Sequence, residues 1–241
     1  MSNNNEGLSS AVKYFWITRE KQEHKQGLVS GKKDLGGRSS VTGGAQCDGF
    51  IKLIEELLID AGLPNANIFT KEICLPGYFR PTKEWDLLVV ANHNLIASVE
   101  IKSQVGSFGN NYNNRVEEAI GNAYDLWTAY REGLFKPSQR PWLGYIMILE
   151  QHPKSTTPIR ADSDHFSVLP EFKSASYAKR YEIFCERLVR ERLYDAACLI
   201  LSNKEAGLKG DYIEPSEELN FNAFATSLMS RAIAFTKSQG K

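Results

Sequence analysis

The 241-residue sequence has no apolar run approaching the roughly eighteen residues that a membrane-crossing helix needs. Its opening, Met1-Ser-Asn-Asn-Asn-Glu6, shows neither the basic nor the apolar region of a secretion signal, so a cytoplasmic location is expected. Cysteine is sparse. Cys47, Cys74, Cys185 and Cys198 form no Cys-x-x-Cys pair, which removes the usual sign of a zinc site or redox dithiol and predicts reduced, packed thiols. His24, His93, His152 and His165 are scattered, and none stands at helical spacing with a glutamate as zinc hydrolases require. Net charge is absent too: 29 Lys and Arg balance 29 Asp and Glu, so the chain is no bulk polycation that coats nucleic acid. No internal repeat is visible.

What is present is the composition of a folded soluble protein, 42% hydrophobic and 11% aromatic, with a mean hydropathy of -0.36. Charge is segregated along it. Lys13, Arg19, Lys21, Lys25, Lys32, Lys33 and Arg38 face only Glu20, Glu23 and Asp34 in one stretch, whereas 211–218 is acidic.

Hydrophobic spacing predicts the elements. Leu8, Val12, Phe15, Trp16 and Arg19 predict a helix over 8–25 that ends before Gly27. The glycine-rich stretch 27–44 reads as a long loop; its Gly-x-x-x-Gly-Lys-Lys is one residue short of a phosphate-binding loop and lacks the following Ser or Thr. Phe50, Leu53, Ile54, Leu57 and Leu58 predict a second helix, stopping near Gly62-Leu-Pro64. Strands are expected at 67–75, 85–91 and 95–101, the last two joined by a turn at Asn92-His93-Asn94. A helix follows, with Val116, Ala119, Ile120, Ala123, Trp127 and Tyr130 on one face. Buried strands at 143–149 and 196–201 flank a charged helix at 174–192, whose Tyr177, Tyr181, Phe184 and Leu188 suit either the core or a subunit interface. A last helix covers 220–235. This order describes an α/β fold, a mixed β-sheet flanked by helices on both faces.

The chemistry gathers at the second and third strands. Residues two apart on a strand share a face, so Glu100 and Lys102 lie side by side with Ile101 turned into the core. If the two strands pair as a hairpin, Asp86 falls level with Glu100. Two carboxylates beside an ammonium suit Mg²⁺, which takes one or two carboxylates and leaves positions for water and phosphate. Such an ion acidifies water and offsets phosphate charge, and Lys102 could orient that water or help deprotonate it. Glu-x-Lys alone is a weak pattern: about one or two occurrences are expected by chance from 20 Glu and 17 Lys. Three exist. Glu23-His-Lys25 lies on the basic helix with no upstream Asp, and Glu171-Phe-Lys173 follows Pro170, which disfavours a central strand. Only Glu100-Ile-Lys102 ends an apolar strand behind another that begins with Asp.

Asp86, Glu100 and Lys102 in this setting resemble the PD-(D/E)xK nuclease signature, with Trp85 where the proline, which is not a ligand, usually stands. Glu84-Trp-Asp86, Ser98-Val-Glu-Ile-Lys-Ser-Gln104, Ser107-Phe-Gly-Asn-Asn-Tyr-Asn-Asn-Arg115 and Glu118-Ala-Ile-Gly-Asn-Ala-Tyr-Asp-Leu-Trp127 make the whole chain resemble the XhoI-type type II restriction endonucleases. The resemblance implies a restriction-endonuclease-like αβββαβ core and a single nuclease domain over 1–241. In it a basic N-terminal part (1–49) precedes the catalytic core (50–150) and a C-terminal part (151–241). It also implies an Mg²⁺-dependent homodimer that cuts double-stranded DNA at a palindrome, for this family CTCGAG, in a cell that carries a protecting DNA methyltransferase. Carried over, Asp86 and Glu100 are metal ligands, the Ile101 carbonyl a further ligand, Lys102 the water-positioning base and Gln104 a companion on the same face. Glu55, on the preceding helix, is the choice for an additional acid.

Base reading needs hydrogen-bonding side chains near the catalytic edge. Asn110, Asn111, Asn113, Asn114 and Arg115 follow it directly, with Asn113 or Asn114 also suited to cap the next helix. Lys32, Lys33, Arg38, Ser39 and Ser40 offer phosphate contacts. A structure-selective or repair nuclease of the same fold, and a non-catalytic DNA-binding module with a vestigial acidic cluster, remain as alternatives.

Overall fold

The computed structural model describes residues 2–30 and 44–239. Helix α1 spans Ser2–Ser30 and so runs through Gly27, where the sequence predicts a stop. The preceding turns are rich in helix-forming Arg, Glu, Lys and Gln, and one glycine costs only about 1 kcal/mol there. Its apolar stripe is as expected, with Leu8, Val12, Phe15 and Trp16 buried. A 3-10 turn, Gly44–Cys47, leads into α2, Asp48–Asp60, which buries Phe50, Leu53, Ile54, Leu57 and Leu58.

The stretch 67–75 is two strands, not one. Strand β1, Ile68–Phe69, joins the main sheet, whereas β2, Cys74–Pro76, pairs antiparallel with β3, Thr82–Glu84, in a separate hairpin. Glu72 lies between them in the left-handed region (φ 57), which breaks the extended run. Strands β4, Leu87–Ala91, and β5, Asn94–Gln104, pair antiparallel around a turn in which Asn92 and His93 both have positive φ. Strands β6, Trp142–Glu150, and β7, Ala196–Ser202, extend the sheet in parallel, giving the order β1-β4-β5-β6-β7.

Parallel neighbours need crossovers. Helix α3, Phe108–Arg131, links β5 to β6; the short α4, Pro153–Thr156, and α5, Tyr177–Arg190, link β6 to β7. The chain ends with α6, Lys204–Gly207, and α7, Phe221–Gln239. Strand β6 shows how two layers are filled: Trp142, Ile146 and Ile148 pack with α1, α2 and α7, while Leu143, Tyr145, Met147 and Leu149 pack with α3 and α5. Tyr181, Phe184 and Leu188 of α5 are buried in the second layer and close the core, while Tyr177 packs half-buried at its edge. The architecture is the expected mixed sheet between helices. Among the described residues, no helix is long and apolar enough to cross a membrane.

Candidate active site

Register decides the site. Leu87 pairs with Val99, which puts Asp86 level with Glu100 at the start of β4. The Asp86 amide donates to the Val99 carbonyl (3.2 Å), and the Ile101 amide donates to Asp86 Oδ2 (2.7 Å). In a strand the N–H and C=O of one residue point the same way, so the Ile101 carbonyl also faces the Asp86 side. Its side chain is buried in the core. Glu100 is fully buried, and one of its oxygens, Oε1, is ion-paired with the Lys102 ammonium. The expected convergence of Asp86, Glu100 and Lys102 is therefore present.

Burial, then the neighbouring Glu100, pushes the Asp86 carboxyl up to about 6, although Lys102, the Ile101 amide and Lys83 pull the other way. Burial alone would lower the Lys102 ammonium, but Glu100 and Asp86 outweigh it and hold it above its ordinary value. Lys102 thus enters the site as a donor.

A second lysine is present that sequence reasoning missed. Lys83 Nζ lies 2.9 Å from Glu100 Oε2 and 4.7 Å from the centre of the buried Trp85 ring. The one signal for it was nearness in sequence to Asp86. Its strand is fixed from α3: Asp125 accepts from the Tyr78 and Phe79 amides and from Arg80 Nε, each at 2.8 Å. Burial would raise the Asp125 carboxyl, but these donors outweigh it and hold it below its usual value. Arg80 also donates to Asn122 Oδ1 (2.8 Å), whose amide reaches Glu100 Oε1 at 3.4 Å. A continuous polar chain so joins the β2–β3 hairpin, α3 and Glu100.

Gln104 lies on the Glu100 face but is buried and committed elsewhere. It accepts from the Tyr181 hydroxyl and donates to the Gly106 and Ser107 carbonyls (3.4 and 3.3 Å). Both residues have left-handed backbones (φ 70 and 46), and the Gly106 amide is held by Glu150 Oε2 at 2.9 Å. This locked turn starts α3 at Phe108, with Ser107 rather than Asn113 or Asn114 at the cap position. The four asparagines therefore sit inside the first two turns, with Asn110, Asn113 and Asn114 exposed and Asn111 half-buried. Arg115 turns inward, pairs with Glu118, and has no partner for its buried Nε among the described residues; its charge is felt at Lys102. Beside Asn110 opens a cleft of about 860 Å³, lined also by Ser107, Gly109, His152 and Lys154, the last two absent from the sequence candidates.

Glu55 is half-buried on α2, and the carboxylate whose charge raises Asp86 is Glu100. Lys32, Lys33, Arg38 and Ser39 lie outside the described residues. Among the described residues no group of three or more His, Cys, Asp or Glu could hold a metal. The available donors are two carboxylates and a strand carbonyl, an all-oxygen set that fits a hard cation retaining water and phosphate. The other two Glu-x-Lys pairs are elsewhere: Glu23 and Lys25 on α1, Glu171 paired with Arg187.

A mixed five-stranded sheet flanked by helices, with Asp just before one hairpin strand and Glu-x-Lys on the next, is consistent with a restriction-endonuclease-like fold. Residues 25–214 match the family described as restriction endonuclease XhoI, and the chain belongs to that family. It is 53% identical over 205 residues to the type II restriction enzyme BstVI of Geobacillus stearothermophilus, covering 82% of this chain and 92% of that protein. It is 46% identical over 187 residues to the type II restriction enzyme XhoI of Xanthomonas vasicola (74% and 72% covered). To AbrI of Azospirillum brasilense it is 50% identical over 159 residues (65% and 71% covered). No solved structure matches it. Membership makes the chain a type II restriction endonuclease, a site-specific nuclease acting on double-stranded DNA, and enzymes of this type generally use divalent metal ions.

Proposed function

We propose that the chain is a single nuclease domain that cuts both strands of CTCGAG with Mg²⁺, using Asp86, Glu100 and Lys102. The observation carrying this is the Ile101 N–H bond to Asp86 Oδ2, which locks that carboxylate beside the Glu100–Lys102 pair. Mg²⁺ supplies a hard positive charge that acidifies water and offsets charge on the phosphate. Asp86 and Glu100 would hold it, with the Ile101 carbonyl as a further oxygen and Glu55 as an outer acid. Lys102, protonated, would donate to the attacking water and fix its direction; to accept that water's proton it must first release its own to solvent, which neutralising its carboxylate neighbours favours. Gln104 keeps the β5–α3 turn in place, which aims Asn110, Asn111, Asn113 and Asn114 at base edges; Arg115 reaches the backbone by exchanging Glu118 for a phosphate. Lys32, Lys33, Arg38 and Ser39 contact phosphates.

A palindrome has two equivalent strands, so the working form is a homodimer with one site per strand. It acts in the cytoplasm, where a cognate methyltransferase protects the host DNA. The test is digestion of a plasmid with one CTCGAG site and of a copy altered by one base pair, followed by end sequencing. One linear product from the first alone is expected, and Glu100→Gln should lower its rate by roughly a thousandfold or more while duplex binding in Ca²⁺ persists. Cutting without sequence preference would overturn the reading.

A further inference from the structure

Glu100 is fully buried, and each of its oxygens already faces a donor. Oε1 meets Lys102 and, at 3.4 Å, the Asn122 amide; Oε2 meets Lys83 at 2.9 Å. Each oxygen keeps a second lone pair, but a dication on Oε2 would share it with an ammonium already 2.9 Å away, and that like-charge repulsion favours moving the lysine out. Lys102 shares a strand with Glu100 and stands nearest it in sequence, while Lys83 comes from β3, in a different sheet. The Lys83 ammonium lies over the Trp85 ring and donates to the Glu84 carbonyl, a resting place that holds it without enclosing it. The Lys83 side chain is 15% exposed and that of Lys102 24%, against 1% for Glu100, so either ammonium has an outward path and the carboxylate none; Lys102 is the one committed to the attacking water, which leaves Lys83 to move. Two ammoniums also balance two carboxylates at the site, leaving no surplus negative charge to draw in a dication.

We propose that Lys83 is a positioning residue that occupies the Glu100 oxygen a divalent cation requires, and that a DNA phosphate receives its ammonium when the cation displaces it. The inference rests on the metal-dependent reading of the site. Its consequence is that metal and DNA tighten each other's binding through one side chain, because a free ammonium among cations is costly until a phosphate neutralises it. Trp85, standing where the family pattern has proline, gains a role as the platform of this lysine.

The test measures Ca²⁺ affinity by calorimetry, with and without a CTCGAG duplex, in the wild type, Lys83→Met and Lys83→Arg. Wild type should bind Ca²⁺ about tenfold or more tightly with duplex present. Lys83→Met should bind Ca²⁺ about tenfold more tightly than wild type without DNA and lose most of the gain from duplex, while Lys83→Arg, which keeps the charge, should follow the wild type. Unchanged or weaker Ca²⁺ binding by Lys83→Met, or an undiminished duplex effect, overturns the proposal. A measurement on the wild type needs no variant to fold: reductive methylation of Lys83, read by mass spectrometry, should rise on adding Ca²⁺ and fall again on adding duplex. Constant reactivity on Ca²⁺ addition equally overturns it. Absence of any Ca²⁺ binding by the wild type, with or without duplex, would instead sink the metal-dependent reading of the site.

Discussion

Ionising Asp86 places a second negative charge beside Glu100 with little water to screen either. Its carboxyl, near 6 in the folded protein, lies above the ordinary 3.8, so the unfolded chain ionises first as pH rises. The resulting cost is absent below about pH 4, grows through the interval and is complete above about 6. In chelator, Asp86→Asn should therefore raise folding stability by about 1–3 kcal/mol at pH 7.5, while abolishing cleavage, and the gain should vanish towards pH 4. Urea melts at both pH values check this, and equal or lower stability of the variant at pH 7.5 refutes it. The triad was legible in the sequence because strand period and hairpin pairing fix its neighbours locally. Lys83 was not, since its bond to Glu100 crosses between two sheets. Gln104 was placed on the correct face, yet its partner Tyr181 lies on a helix 77 residues away, and no spacing rule reaches that far.

Among elements, the β2–β3 hairpin depends most on a distant support. Its strands have three residues each and carry little apolar alternation, so they gave no period to read, and the bend at Glu72 was hidden inside an apparently continuous run. Asp125 supplies what the strands lack. Asp125→Ala leaves the Tyr78 and Phe79 amides and Arg80 without their acceptor, and should cost about 2–4 kcal/mol. Hydrogen exchange across 74–84 should quicken, and cleavage should fall as Lys83 and Asp86 lose their fixed approach; unchanged exchange there would show that the clamp is idle. Helices and central strands were legible wherever an apolar period was long enough. The end of α1 was misplaced because a single glycine is a weak stop, and the α3 cap because a left-handed Ser107 leaves no capping side-chain signature.

At the scale of the whole molecule, the parallel β5-β6-β7 order follows from helices lying between strands, which is why the sheet could be anticipated. Subunit contacts leave no such trace, and the aromatic face of α5 suited core and interface alike until packing assigned it to the core. Light scattering of the purified protein should give about twice the 27.1 kDa of one chain; the mass of a single chain in an active sample would remove the two-fold arrangement. Balanced net charge is no obstacle to DNA here, because a site that holds carboxylates against lysines needs both signs. The cysteines add a practical consequence. Cys47, Cys185 and Cys198 are buried, and burial pushes each thiol up, Cys47 to about 12, whereas Cys74 is exposed on β2 directly opposite Glu84. A maleimide dye therefore finds one attachment point in the unmutated protein, on the strand pair that carries Lys83, and its emission offers a real-time optical record of that hairpin as metal and duplex arrive.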